Sequence, residues 1–116
     1  MRNNAVMEKS MEFAVRIVKL YKYMSEEKQE YVLSKQLLRS GTSIGANVRE
    51  GIYGQSKKDF ISKMHIALKE ATETEYWLEL LMKTEYLTTK QYESIVCDST
   101  ELCKLLTAII KSAKTS

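Results

Sequence analysis

A chain of 116 residues with a formal net charge of +3, four glycines, two cysteines, one histidine and no proline is long enough for one domain with a sizeable core and leaves no room for a second. Its wealth of Leu, Lys, Glu, Met and Ala selects an all-helical fold, and the mild positive charge permits an acidic partner such as nucleic acid without demanding one. The N-terminal run MRNNAVMEKSMEF has neither a long apolar core nor a small-residue cleavage site. No apolar run approaches membrane-spanning length, so the expected location is cytoplasmic, with no membrane partner.

The first helix is expected from about Asn4 to Met24. Val6, Phe13, Ile17, Leu20 and Met24 form one stripe, widened by Met7, Met11, Ala14, Val18 and Tyr21 into a face broad enough for two neighbours. Its remaining surface carries Lys9, Arg16, Lys19 and Lys22 among only two acids, Glu8 and Glu12. Such a run usually means a solvated face, and an anion-binding surface is the alternative. Ser25, Glu26 and Glu27 have the chemistry of a helix N-cap and first turn, which predicts a short connection into the second helix.

The second helix, ending near Tyr53, holds most of the small polar residues. At 100° per residue, Leu33, Leu37, Gly41, Ile44, Gly45, Val48 and Ile52 share one face, and Gln36, Arg39, Ser43, Asn47 and Glu50 share the opposite one. Gly41 and Gly45 cost about 1 kcal/mol each in helix propensity, which a close helix contact would offset; a helix broken at either glycine is the alternative. The opposite face holds Gln, Ser and Asn in place of the usual Lys and Glu, which reads as a partly buried polar seam. Gly54 is expected as the C-terminal cap and Ser56 as the N-cap of a third helix, three residues before Asp59. A tight antiparallel hairpin then sets residues whose numbers sum to about 112 at equal height, placing Gly41 opposite Ala71, Gly45 opposite Ala67 and Arg39 opposite Glu73, with Glu70 nearby.

The third helix, Lys57 to about Glu85, buries Phe60, Ile61, Met64, Ala67, Leu68, Ala71, Leu78 and Met82, with Glu75 inside the stripe. A carboxylate there needs a hydrogen-bond partner, expected to be a tyrosine, an arginine or a lysine of the first helix. A second apolar patch, Ile66, Trp77, Leu80 and Leu81, lies on the far side and predicts another subunit against it. Thr88 and Gln91 are spaced as a capping box for a fourth helix. Tyr92, Ile95, Ser99, Leu102, Leu106, Ile109 and Ala113 give that helix one clean stripe, as the last member of an antiparallel up-down four-helix bundle would have.

No catalytic constellation, metal site or cofactor is expected. Cys97 and Cys103 fall on different sides of the fourth helix without a second pair, His65 stands alone, and the chain has no Glu-x-x-His motif for a di-metal centre. The candidate nucleic-acid-binding residues are Lys9, Arg16, Lys19 and Lys22, with Lys57 and Lys58 at the start of the third helix.

The motifs RSGTSIGANVREG at 39–51 and SKKDFISKMHIALKEATETEYWLELL at 56–81, together with four helices in sequence, resemble the bacterial 23S rRNA intervening-sequence protein family. The likeness is specific between Gln36 and Met82, and by pattern in the outer helices. It implies an up-down bundle assembling into a ring-like homopentamer. The family is related to accessory proteins of diversity-generating retroelements, which bind nucleic acid and a reverse transcriptase. Its polar signature falls on Arg39, Ser43, Asn47, Glu50, Gly51 and Glu70, the seam already read from spacing. Many members have proline where this chain has Gly45, and more arginines where it has Ile52, Tyr53 and Gln55. The expected function is a non-catalytic, oligomeric RNA- or DNA-binding accessory protein; the alternative is a homo-oligomeric scaffold whose partner is another protein.

Overall fold

The computed structural model describes the backbone of residues 2–116 and the side chains from Ala5 onward. Four helices account for nearly all of it: α1 Arg2–Glu26, α2 Leu33–Ile52, α3 Lys57–Lys83 and α4 Thr89–Thr115. Each packs on its neighbours in the chain, and α1 on α4 closes the ring, giving the expected antiparallel up-down bundle, with a long axis of 46 Å. Phe13, Ile17, Met24, Leu37, Ile44, Met64, Leu78 and Leu102 fill its centre, each at most 2 % exposed. Among the described residues no helix is long and apolar enough to cross a membrane.

The first connection differs from expectation. Ser25 lies inside the last turn of α1, where its hydroxyl donates to the Tyr21 carbonyl (2.9 Å), so it caps nothing downstream. Gln29 turns the chain with φ 55°, and the Glu30 N–H closes back onto the Met24 carbonyl at 2.9 Å. The carboxylate of Glu30 then takes the capping role at α2, accepting from the backbone N–H of Val32 (3.1 Å), Leu33 (2.9 Å) and Ser34 (2.7 Å). Burial raises the pKa of this 8 % exposed side chain, but the three backbone donors outweigh it and hold the carboxyl below its ordinary value.

The α2/α3 hairpin has the expected Ser56 cap, whose hydroxyl accepts from the Asp59 N–H (3.0 Å). Gly54 does not sit in the left-handed region. A Cβ there would meet the Asp59 carboxylate, which would have to swing aside, and would lie 3.1 and 3.2 Å from the carbonyl oxygens of Gly51 and Glu50. At the α3/α4 turn the left-handed residue is Glu85 (φ 68°), with the Tyr86 N–H returned to the Leu81 carbonyl (2.9 Å), so α3 stops two residues before the expected end. Thr88 and Gln91 form the expected capping box.

Helix α2 is continuous through both glycines, but they face α1 rather than α3. A Cβ at Gly41 would lie 2.7 and 2.8 Å from Cγ1 and Cγ2 of Ile17, and one at Gly45 would lie 3.4 Å from the Ser10 carbonyl oxygen. The close approach therefore belongs to the α1/α2 contact. The α2/α3 seam is held instead by Ser40 and Thr74, both fully buried, with Thr74 Oγ1 3.0 Å from Ser40 Oγ and 2.7 Å from the Glu70 carbonyl oxygen. Glu75, in the α3 stripe, accepts from Ser99 of α4 (2.8 Å), not from a tyrosine, arginine or lysine.

Candidate nucleic-acid interface

The basic face of α1 meets acids that its own sequence does not contain. In the antiparallel packing of α1 on α4, Lys9 pairs with Glu101 (2.5 Å), which raises the lysine pKa through that hydrogen bond. Arg16 pairs with Asp98 (2.6 Å) and reaches the hydroxyl (3.1 Å) and carbonyl (3.3 Å) of Ser94. Lys19 and Lys22 have no ion-pair partner among the described residues and are exposed. Lys57 and Lys58 begin α3, near the opposite end of the bundle, where Lys57 donates to the carbonyl oxygen of Ser116. The six cations therefore do not form one patch, and two of them are neutralised by α4.

Where α1 ends beside the start of α4, a groove of about 540 Å³ opens. Its lining brings Arg16, Lys19, Leu20 and Tyr23 of α1 together with Leu87, Thr88, Lys90, Gln91, Ser94 and Ile95, and contains no carboxylate and three cations, of which Arg16 is already paired with Asp98 just outside it. Leu87 and Ile95 form a buried floor, 3 % and 4 % exposed. The Lys28 ammonium stands 5.9 Å from the centroid of the Tyr23 ring, within cation–π range. Tyr23 and Lys90 are absent from the basic runs legible in the sequence; only the pairing of α1 with α4 places them beside Lys19.

The polar seam on α2 bridges to α3 at two points within one chain. Arg39 contacts Glu70 (3.2 Å) and, more closely, Glu73, and Glu50 pairs with Lys63 (3.1 Å). Trp77 Nε1–H donates to Glu73 (3.0 Å); that bond and the Arg39 guanidinium hold the Glu73 carboxyl below its ordinary pKa. Ser43 and Asn47 instead turn back onto their own helix, donating to the Arg39 carbonyl (2.6 Å) and the Ser43 carbonyl (2.9 Å). Gln36 is exposed.

The far side of α3 keeps part of its expected character. Ile66 is 39 % and Tyr76 59 % exposed, and Tyr76 meets Trp77 edge-on at 5.0 Å. Trp77 and Leu80 are half-buried, but Leu81 is fully buried in the core of its own chain. Leu81 is therefore not available to a partner: it lies on the boundary between the two α3 stripes and is claimed by the core. On α1, Met11 and Val15 are also exposed, at 49 % and 46 %, so the broad apolar face is wider than one bundle uses.

Residues 2–108 match the family model described as 23S rRNA-intervening sequence protein. The chain belongs to that family. Within the family's structures it is similar to a crystal structure of a protein with unknown function from the S23 ribosomal protein family of Bacteroides thetaiotaomicron VPI-5482. The two share 66 % sequence identity over 96 % of this chain and 99 % of that one, with a TM-score of 0.94. No curated protein matches. The intervening-sequence family thus accounts for the bundle.

Among the described residues no three His, Cys, Asp or Glu side chains gather as a metal site requires. Cys103 lies in a shallow groove with Glu75 and Lys104, where burial first, and then the Glu75 carboxylate, push its thiol pKa up; that disfavours the nucleophilic thiolate. Cys97 is exposed, as is His65.

Proposed function

We propose that this member of the intervening-sequence family is a non-catalytic, cytoplasmic, homo-oligomeric accessory protein that binds RNA or DNA through phosphate contacts. The observation that carries the reading is the carboxylate-free groove between α1 and α4, where Lys19 and Lys90 stand beside Arg16, with Lys22 exposed one turn further along α1. A single subunit at +3 would hold a polyanion weakly. A ring repeats the groove once per subunit, and linked contacts raise avidity without new chemistry.

The exposed Ile66 and Tyr76 beside Trp77 support self-association along α3, and a pentamer is the assembly in keeping with the family resemblance. Native mass spectrometry at micromolar concentration tests it: an oligomer that Trp77→Glu dissociates is expected, and monomer alone would remove it. For binding, the triple variant Lys19→Gln, Lys22→Gln, Lys90→Gln should abolish mobility shift of structured RNA at low salt. Lys9→Gln, already paired with Glu101, should change it little.

One observation favours a second reading. The loss of Lys9 and Arg16 to ion pairs, set against exposed Met11 and Val15, suits a scaffold that binds a protein and no nucleic acid.

A further inference from the structure

We infer that the groove between α1 and α4 receives one unpaired nucleotide of a nucleic-acid strand, with the base against Tyr23 and the apolar floor and the phosphate between Lys19 and Lys90. The inference rests on the nucleic-acid reading above and adds what form of strand is preferred and where it is held. Size comes first: about 540 Å³ lies within the roughly 300–1,000 Å³ of sites that enclose a small organic molecule, far more than a lone phosphate requires.

Chemistry comes second. Leu20, Leu87 and Ile95 with the Tyr23 ring offer an apolar and aromatic wall, and an unpaired base presents a π-face that stacks on such a surface whatever its identity. The polar lining is rich in donors. Thr88 Oγ1 already accepts from the Gln91 N–H, Gln91 Oε1 from the Thr88 N–H, and Ser94 Oγ from Arg16. This leaves two hydroxyl protons and the Gln91 amide protons to give. Those donors and two lysines without ion-pair partners among the described residues suit a ligand made of acceptors and negative charge. A paired duplex keeps its bases stacked, so only its phosphates could reach Lys19 and Lys90. An acidic peptide would match the charge and leave the aromatic wall unused.

The test is fluorescence anisotropy on the intact oligomer with a short single-stranded RNA and the same RNA paired to its complement. At about 100 mM salt the single strand is expected to bind about tenfold tighter. Tyr23→Leu should lower single-strand affinity about tenfold and leave duplex affinity unchanged, with Tyr23→Phe close to the parent. Photo-crosslinking of 4-thiouridine RNA to the unmutated protein, which does not depend on any variant folding, should map to Tyr23 or to residues 87–95. Equal affinity for single strand and duplex, crosslinks elsewhere, or displacement of the RNA by poly-glutamate as effective as by competing RNA would each overturn the inference while leaving nucleic-acid binding intact. Failure to bind either RNA form would overturn both.

Discussion

A single methyl group added at Gly41 should destabilise the bundle even though it removes a helix-breaking residue. Gly to Ala in a helix interior gains about 1 kcal/mol. Against that, the new Cβ would sit 2.7 and 2.8 Å from two carbons of Ile17, where ordinary carbon contacts are about 3.5–4.0 Å. Ile17 is fully buried and β-branched, so it cannot rotate away freely. Overpacking of this kind costs about 1–3 kcal/mol, leaving Gly41→Ala less stable by about 1 kcal/mol. The sign should reverse in an Ile17→Ala background, where all the crowding atoms are gone and the helix term of about 1 kcal/mol remains. Urea unfolding of the four proteins of this double-mutant cycle, at one protein concentration because any self-association would add to apparent stability, measures the coupling directly. A Gly41→Ala protein more stable than the parent by the same increment in both backgrounds would refute the close approach of α1 and α2.

At Gly45 the new Cβ meets only the 3.4 Å contact with Ser10, so Gly45→Ala should be neutral or stabilising by up to about 1 kcal/mol in the same assay. Glu85, left-handed at the end of α3, should tolerate glycine with a gain of up to about 1 kcal/mol, read as a higher melting temperature. Glu30→Gln removes a charged acceptor from the start of α2 and should cost about 1 kcal/mol. Because the folded pKa values of Glu30 and Glu73 lie below their unfolded ones, their contribution is present above about pH 4.3 and is lost as pH falls through the folded values; acid titration of melting temperature should therefore be shallower in Glu30→Gln. Arg39, half exposed beside Glu70 and Glu73, should cost no more than about 1 kcal/mol when changed to Ala, well short of the cost of breaking a buried pair.

Local rules carried the sequence reading a long way. Ser56 with Asp59, and Thr88 with Gln91, gave the starts of α3 and α4 because capping is decided within four residues. The hairpin height rule placed Arg39 beside Glu73. What failed depended on a third partner. A helical wheel puts Gly41 on the inner face but does not say which of two inner neighbours it meets. Ser25 followed by two glutamates has the composition of a cap, yet Glu30 does that work from a position no short motif marks. The basic run of α1 looked continuous because Asp98 and Glu101, which neutralise part of it, lie more than 80 residues away in the chain. For the same reason Tyr23 and Lys90 became candidates only once α1 and α4 were paired.

The salt dependence of the proposed RNA binding, measured on the protein in its native assembly state, tests the central claim most directly. Single strands lose about 0.7 in the slope of log affinity against log salt for every phosphate neutralised. Lys19, Lys22 and Lys90 acting together therefore predict a slope near −2 per engaged subunit, and steeper where several subunits share one strand. The Lys19→Gln, Lys22→Gln, Lys90→Gln protein should lose most of that slope, and Lys9→Gln should keep it. An intact oligomer that retains no RNA even near 50 mM salt, where electrostatic binding is strongest, would contradict the account and leave the protein-binding scaffold in its place.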